Sequence, residues 1–290
     1  MKRSFILIIA AIALLTACKD KKQTEEVKQV KSAAERTSLQ ENHLLGAVKE
    51  VIDSKYMVYP TPDGTDSLVF FATSHDFYNE KGWLCGNVVT DAQNDTISYT
   101  HISFDEKGHV TLRELFDKKG VRREHSEYKY DKKGYRVQER TYIMDSLVRE
   151  QTCTNDPQGN VEQVAVTEGK EHYYLKNTNN NNGLPVRIDW FTNSSCTTPY
   201  MQSDLEYDNK GNVINRSVTL NNRSVEYYHA QYNEKGHLLK EVYQRSVPEN
   251  LVEISTNYSK HDSHGNWTYQ ENSRNDIHHF VIKREIIYFK

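Results

Sequence analysis

One phrase returns through this chain at a nearly constant interval: Tyr78-Asn79-Glu80-Lys81-Gly82, Phe104-Asp105-Glu106-Lys107-Gly108, Tyr130-Asp131-Lys132-Lys133-Gly134, Tyr207-Asp208-Asn209-Lys210-Gly211 and Tyr232-Asn233-Glu234-Lys235-Gly236. Weaker copies end at Gly159, Gly183 and Gly265. Successive glycines therefore stand 26, 26, 25, 24, 28, 25 and 29 residues apart. A period in this range marks a repeat architecture, in which one small unit is stacked many times.

The unit can be read from its turn. Asp at the first position of a type I turn bonds the backbone two residues on, and Gly three residues later accepts the left-handed conformation without steric cost. The result is a three-residue hairpin loop with a glycine bulge. Asp208 then faces Asn212 across the ladder, and Tyr207 pairs with Val213 on one face. The same register pairs Tyr78 with Leu84, Phe104 with Val110, Tyr232 with Leu238 and His261 with Trp267. Each such pair contributes roughly 0.2–1 kcal/mol.

Before each turn the period is 2, as in Ile102-Ser103-Phe104, Tyr128-Lys129-Tyr130 and Leu205-Glu206-Tyr207, and no window of residues 44–290 sustains a helical period. A repeat thus holds two short strands, a glycine turn and a more variable turn. The variable turns fall at Asp145-Ser146, Thr167-Glu168-Gly169, Asn193-Ser194-Ser195, Asn221-Asn222, Pro248-Glu249-Asn250 and Ser273-Arg274-Asn275. Phe116-Asp117-Lys118-Lys119-Gly120 is an extra glycine turn at half period. The expected fold is all-β: an antiparallel meander of ~25-residue hairpins, curled into a partial spiral or elongated as a twisted sheet, since sheets beyond about ten strands curl or split. Ile286-Ile287-Tyr288-Phe289 reads as the closing strand, and Gly82, Gly108, Gly134, Gly159, Gly183, Gly211, Gly236 and Gly265 as the structural residues of the repeat.

The N-terminus belongs to a different regime. Lys2 and Arg3 precede an apolar run over residues 5–15 and then Leu15-Thr16-Ala17-Cys18, the form of a secretory signal. The run is too short for the ~20 residues that span a bilayer, and the small residues before the cysteine resemble a bacterial lipobox. That resemblance implies a signal peptide over 1–17 and lipid attachment at Cys18. Residues 18–43 carry Lys, Glu, Gln, Ser and Thr with no aromatic residue before His43, a composition that cannot offset its ordering entropy. They read as a charged tether, and the repeat domain as 44–290. Lys19-Asp20 resembles the short charged signals of surface-exposed lipoproteins.

A net charge of −3 excludes the basic surface that nucleic-acid binding needs. Beyond Cys18 only Cys85, Cys153 and Cys196 remain. At most one disulfide can form, and no disulfide framework holds the fold.

Tyr207 to Val213 matches Tyr-Asp-x-x-Gly-Asn-x at every defined position, and His261-Asp262-Ser263-His264-Gly265-Asn266-Trp267 is a close variant. The chain resembles the YD-repeat, or rearrangement-hotspot (RHS), family, in the form of short RHS-like lipoproteins of the Bacteroidetes. Large members wrap such repeats into a hollow β shell around a toxin. This chain has a longer period, and its repeats run on to residue 290, so a shell enclosing a toxin is not expected of it. The resemblance implies a β-repeat module, in some members carbohydrate-binding, and it transfers no catalytic residue.

Candidate chemistry is sparse. The stripe Tyr78, Phe104, Tyr130, Tyr207 and Tyr232 is expected to form the sheet core, because aromatic residues favour strands and bury large areas. Aromatics outside that pattern, Trp83, Tyr135, Tyr173, Trp190, Phe191 and Tyr269, are the ligand candidates, through stacking on sugar rings. The acidic turns carry too few oxygens for the six or so that calcium needs, and His261 and His264 occupy a turn slot that other repeats fill with Tyr and Lys. Neither metal nor cofactor is expected. No Gly-x-Ser-x-Gly, P-loop, dinucleotide fingerprint or His-Glu-x-x-His occurs. The functional expectation is a non-enzymatic lipoprotein, anchored in the bacterial outer membrane on its periplasmic face or at the cell surface, that binds a polysaccharide or an envelope protein. The alternative is a structural, assembly or immunity-type lipoprotein that recognises only protein, for instance by strand addition at a free sheet edge.

Overall fold

The computed structural model describes residues 37–246 and 249–290; the signal sequence, Cys18 and most of the tether lie outside them. Among the described residues, eighteen strands follow one short helix, α1 (Ser38–Glu41). They are β1 (Val48–Pro60), β2 (Asp66–Tyr78), β3 (Leu84–Asp91), β4 (Thr96–Phe104), β5 (Val110–Asp117), β6 (Arg122–Tyr130), β7 (Arg136–Ile143), β8 (Ser146–Asn155) and β9 (Val161–Glu168). The second half comprises β10 (Glu171–Asn179), β11 (Pro185–Phe191), β12 (Met201–Tyr207), β13 (Val213–Leu220), β14 (Arg223–Tyr232), β15 (Leu238–Ser246), β16 (Glu249–His261), β17 (Trp267–Arg274) and β18 (Ile277–Tyr288).

The meander expected from the repeat is present, but it closes. Each strand pairs antiparallel with the next, and β18 then pairs with β1, from Val48 opposite Tyr288 to Met57 opposite Phe280. The open spiral or elongated sheet is therefore corrected to a closed barrel. Physically, closure removes the two unpaired edges that an open meander would leave to other chains.

The turns follow the sequence reading in detail. The Asp208 carboxylate accepts the Lys210 and Asn212 amides at 2.8 and 2.9 Å, Gly211 has φ +84°, and Tyr207 lies opposite Val213. Tyr78 opposite Leu84, Phe104 opposite Val110, Tyr232 opposite Leu238 and His261 opposite Trp267 repeat that register. At the other end of the barrel the variable turns at 144–145, 221–222 and 275–276 each have two consecutive non-glycine residues with positive φ, the signature of tight two-residue hairpins. Two of these turns lie one residue away from the positions expected.

Neighbouring repeats are joined by two devices. A stripe tyrosine donates its hydroxyl to the carbonyl two residues past the preceding glycine: Tyr130 to Val110 at 2.9 Å, Tyr207 to Pro185 at 2.7 Å and Tyr232 to Val213 at 3.1 Å. Burial pushes the Tyr207 hydroxyl up to about 12. The side chain following one glycine also rests on the next glycine turn. Trp83 lies over Gly108, His109 over Gly134, Tyr135 over Gly159 and Asn160 over Gly183.

Residues 37–45, largely assigned to the tether by composition, are ordered as a strap across the barrel mouth. A capping box between Thr37 and Gln40 holds α1. Leu39 donates its amide to the Gly82 carbonyl at 3.1 Å and covers that glycine, whereas His43 covers Gly236. The strap then runs to Leu45, whose backbone is held by the Asn266 side chain.

Register assigns the two faces. Tyr78, Asp76, Asn87, Tyr232, Tyr258 and Arg284 share the inner face, where one cavity touches both β2 and β14. Part of this face packs into an apolar core on β8–β13, including Val164, Leu175, Ile188, Trp190 and Met201. The outer face carries Glu127, Lys129, Gln138, Arg140, Glu150 and Thr152 on adjacent strands. The same outer face carries Phe77, Val88, Tyr99 and Phe116 on β2–β5.

Candidate lumenal site

Beneath the strap lies a cavity of about 540 Å³, within the ~300–1,000 Å³ range of small-ligand sites. Ser38 and Glu41 of the strap roof it, and β2–β7 wall it. The Trp83 and Phe104 rings lie 6.4 Å apart at 44°. With Tyr128 they supply flat apolar surface, and Asn87, Thr100 and Arg113 supply polar groups. The glycine turn positions Trp83, because its loop geometry aims the following residue at the next turn, where Gly108 leaves room for the indole.

The electrostatics of this wall are uneven. Burial raises the Asp76 carboxyl above its ordinary value, although it accepts a hydrogen bond from the Asn87 amide. Burial likewise raises the Tyr128 hydroxyl, assisted by the Glu139 charge and opposed by Arg136 and Arg113. Arg113 is flanked on the inner face by Ile102 and Ser126, and among the described residues no carboxylate pairs with it.

A second cavity, of about 300 Å³, lies under the other end of the strap. There His237 meets the His43 ring edge-on at 5.8 Å and the Tyr258 ring at 5.1 Å. Burial, and then the neighbouring His43, hold its imidazole down at about 4 against an ordinary 6.5. The unfolded chain therefore binds this proton more readily. The stability contributed by the neutral ring is complete above pH ~6.5 and is lost as pH falls towards 4. Between pH 7 and 4, wild type is expected to lose on the order of 2 kcal/mol more than His237→Phe in urea unfolding. Parallel pH profiles for the two proteins would sink this assignment.

The structure scatters the six aromatics proposed from sequence. Trp83 lines the cavity. The Tyr135 ring is spent on Gly159, with the Lys133 ammonium 5.9 Å from its centroid. Tyr173 packs on the apolar core and donates to Glu168 at 3.1 Å; burial pushes its hydroxyl up to about 12. Trp190 and Phe191 are only 5% and 3% exposed, so neither presents a face to a ligand. Tyr269 lies on the outer wall under the Lys260 ammonium at 4.9 Å. Sequence reasoning passed over Asn87, Thr100, Arg113 and Tyr128. Arg113 carried a usable signal, because its ladder register puts a full charge at an inward slot. Cys85, Cys153 and Cys196 are free thiols. His264 stacks on Tyr288 at 3.9 Å, and no cluster of metal-ligating side chains forms among the described residues.

No family model matches the sequence, and no curated protein matches it. The RHS likeness therefore stays at the level of its repeated motif. Among solved structures, a porin-like protein from Bacteroides uniformis aligns over 84% of this chain and 98% of its own, at 12% identity and a TM-score of 0.45. The crystal structures of TcdB2-TccC3-TEV and TcdB2-TccC3 align over 77% and 79% of this chain, at 10% and 14% identity and TM-scores of 0.35 and 0.33. In each of those two, the match spans only 15% of the other chain. At these values each likeness concerns β architecture alone. The fold and the cavity define a closed antiparallel barrel with a strapped, partly filled lumen.

Proposed function

We propose that this protein is a non-catalytic saccharide-binding module of the bacterial envelope, held to the membrane by lipid on Cys18. The observation that carries the binding reading is the cavity under the strap, where the Trp83 and Phe104 rings stand beside Asn87 and Thr100. Aromatic faces cover the C–H faces of a pyranose, and the flanking amide and hydroxyl groups answer its hydroxyls. The anchor rests on the lipobox-like sequence before Cys18 and on a chain that enters the barrel at the strap.

A labelled sample of the full-length protein in detergent, screened against bacterial and host polysaccharides, is expected to show saturable binding to one class. Trp83→Ala should weaken that binding about tenfold, the loss of one stacking surface. A folded wild-type protein that stays silent across the panel would overturn the reading. Protein recognition is the second reading. It is favoured by exposed apolar side chains at the variable-turn rim, including Tyr59, Phe71, Met144, Leu147 and Ile277. Strand addition is not its route, because every strand from β1 to β18 already has two neighbours.

A further inference from the structure

We propose that the cavity selects acidic saccharides and that Arg113 is the residue that reads their carboxylate. The inference rests on the saccharide reading above and concerns which sugars that site takes.

Three arginines of the inner face have carboxylate partners of their own, whereas Arg113, which lines this cavity, has none among the described residues. Arg136 is matched with Glu139 at 3.3 Å, Arg216 with Glu226 at 2.9 Å, and Arg284 with both oxygens of Asp53 at 2.7 and 2.6 Å. Each of these guanidinium groups meets a carboxylate supplied by the barrel itself, as a charge in a partly enclosed space requires. Arg113 instead has Ile102 on one side and Ser126 on the other. It remains exposed to the cavity that it lines.

Other charges at the site are spoken for. Asp76 accepts from Asn87, and Glu41 on the strap is already engaged. Among the residues that line this cavity, the cation left open to a ligand is Arg113. A guanidinium offers two parallel N–H donors that match a carboxylate. Beside Trp83 and Phe104, that fork selects a sugar bearing a carboxyl group, a hexuronate residue in an oligosaccharide. Removing Arg113 strands no protein carboxylate, so the variant is expected to fold.

The test uses full-length protein in detergent and matched pairs of oligosaccharides. Galacturonate, glucuronate and mannuronate oligomers are titrated calorimetrically beside their carboxyl-reduced, neutral counterparts. Wild type should bind the acidic member of one pair about tenfold or more tightly than the neutral member. Arg113→Gln should bring the two members to near equality, with an unchanged melting temperature. Trp83→Ala should weaken both members alike and leave the preference intact. Equal binding of acidic and neutral members by wild type would overturn the selectivity and leave saccharide binding standing. An acid preference undiminished in Arg113→Gln would overturn the role of Arg113. Binding to no member of any pair, with a silent polysaccharide screen, would remove the saccharide reading itself.

Discussion

Asn266→Ala should destabilise the barrel by about 3 kcal/mol, while Asn212→Ala, at the same position of another repeat, should cost less than about 1 kcal/mol. Both residues follow a turn glycine, and the Asn212 amide donates to its own turn Asp208 at 2.8 Å. Asn266, only 2% exposed, does something different. Its side-chain oxygen accepts the Leu45 amide at 2.7 Å, and its nitrogen donates to the Leu45 carbonyl at 2.9 Å and to the Tyr288 hydroxyl at 2.7 Å. The Tyr288 hydroxyl also contacts Asp262, and the Tyr288 ring stacks on His264. One amide thus ties the last repeat to the chain entering β1 and to the end of β18. Truncation leaves a backbone donor and a backbone acceptor without partners at the seam, each worth about 1–3 kcal/mol where water is excluded. Equilibrium urea unfolding measures the total, and hydrogen exchange on β1 and β18 locates it. Equal, small losses in the two variants would mean that the seam is held elsewhere.

That seam also marks where the sequence stopped being legible. Strand alternation, glycine turns and cross-strand register are local, encoded within a few residues, and they were readable: Tyr207 opposite Val213 and the closing strand at Ile286 both stand where the pattern put them. Closure depends on Val48 meeting Tyr288, a pairing between chain ends that no local motif writes down. The strap was hidden for a related reason. Residues 37–43 are polar, and their order comes from Leu39 and His43 filling the space above Gly82 and Gly236. Thr37-Ser38-Leu39-Gln40 nonetheless fits a capping box, a signal that the composition argument overlooked. At the site, Trp83 was legible as a ring outside the core stripe. Trp190 and Tyr135 satisfied the same description, and the structure commits one to the core and the other to the turn stack. Side-chain type and spacing do not reveal which neighbour a ring will cover.

Tyr135 and Gly159 offer the sharpest test of that stacking. Gly159→Ala should cost about 3 kcal/mol, from two separable sources. At φ +88° an L-residue bears roughly 1–2 kcal/mol of backbone strain. An added Cβ would also come within 2.3 Å of the Tyr135 ring, and overpacking of this kind costs about 1–3 kcal/mol. Gly169 isolates the first source, because its φ is +59° and nothing lies within 4 Å of the position its Cβ would take. Gly169→Ala should therefore cost only the backbone share, about 1 kcal/mol. Tyr135→Ala alone removes a half-buried ring and should be mild. In the double variant the clash disappears while the strain remains, so the two changes should be less damaging together than their sum, with a coupling of about 1–2 kcal/mol in a double-mutant cycle. Additive losses, or equal costs at Gly159 and Gly169, would show that the repeat keeps its glycines for the turn alone. A coupling of the expected size would show that each glycine is also the socket into which the preceding repeat locks.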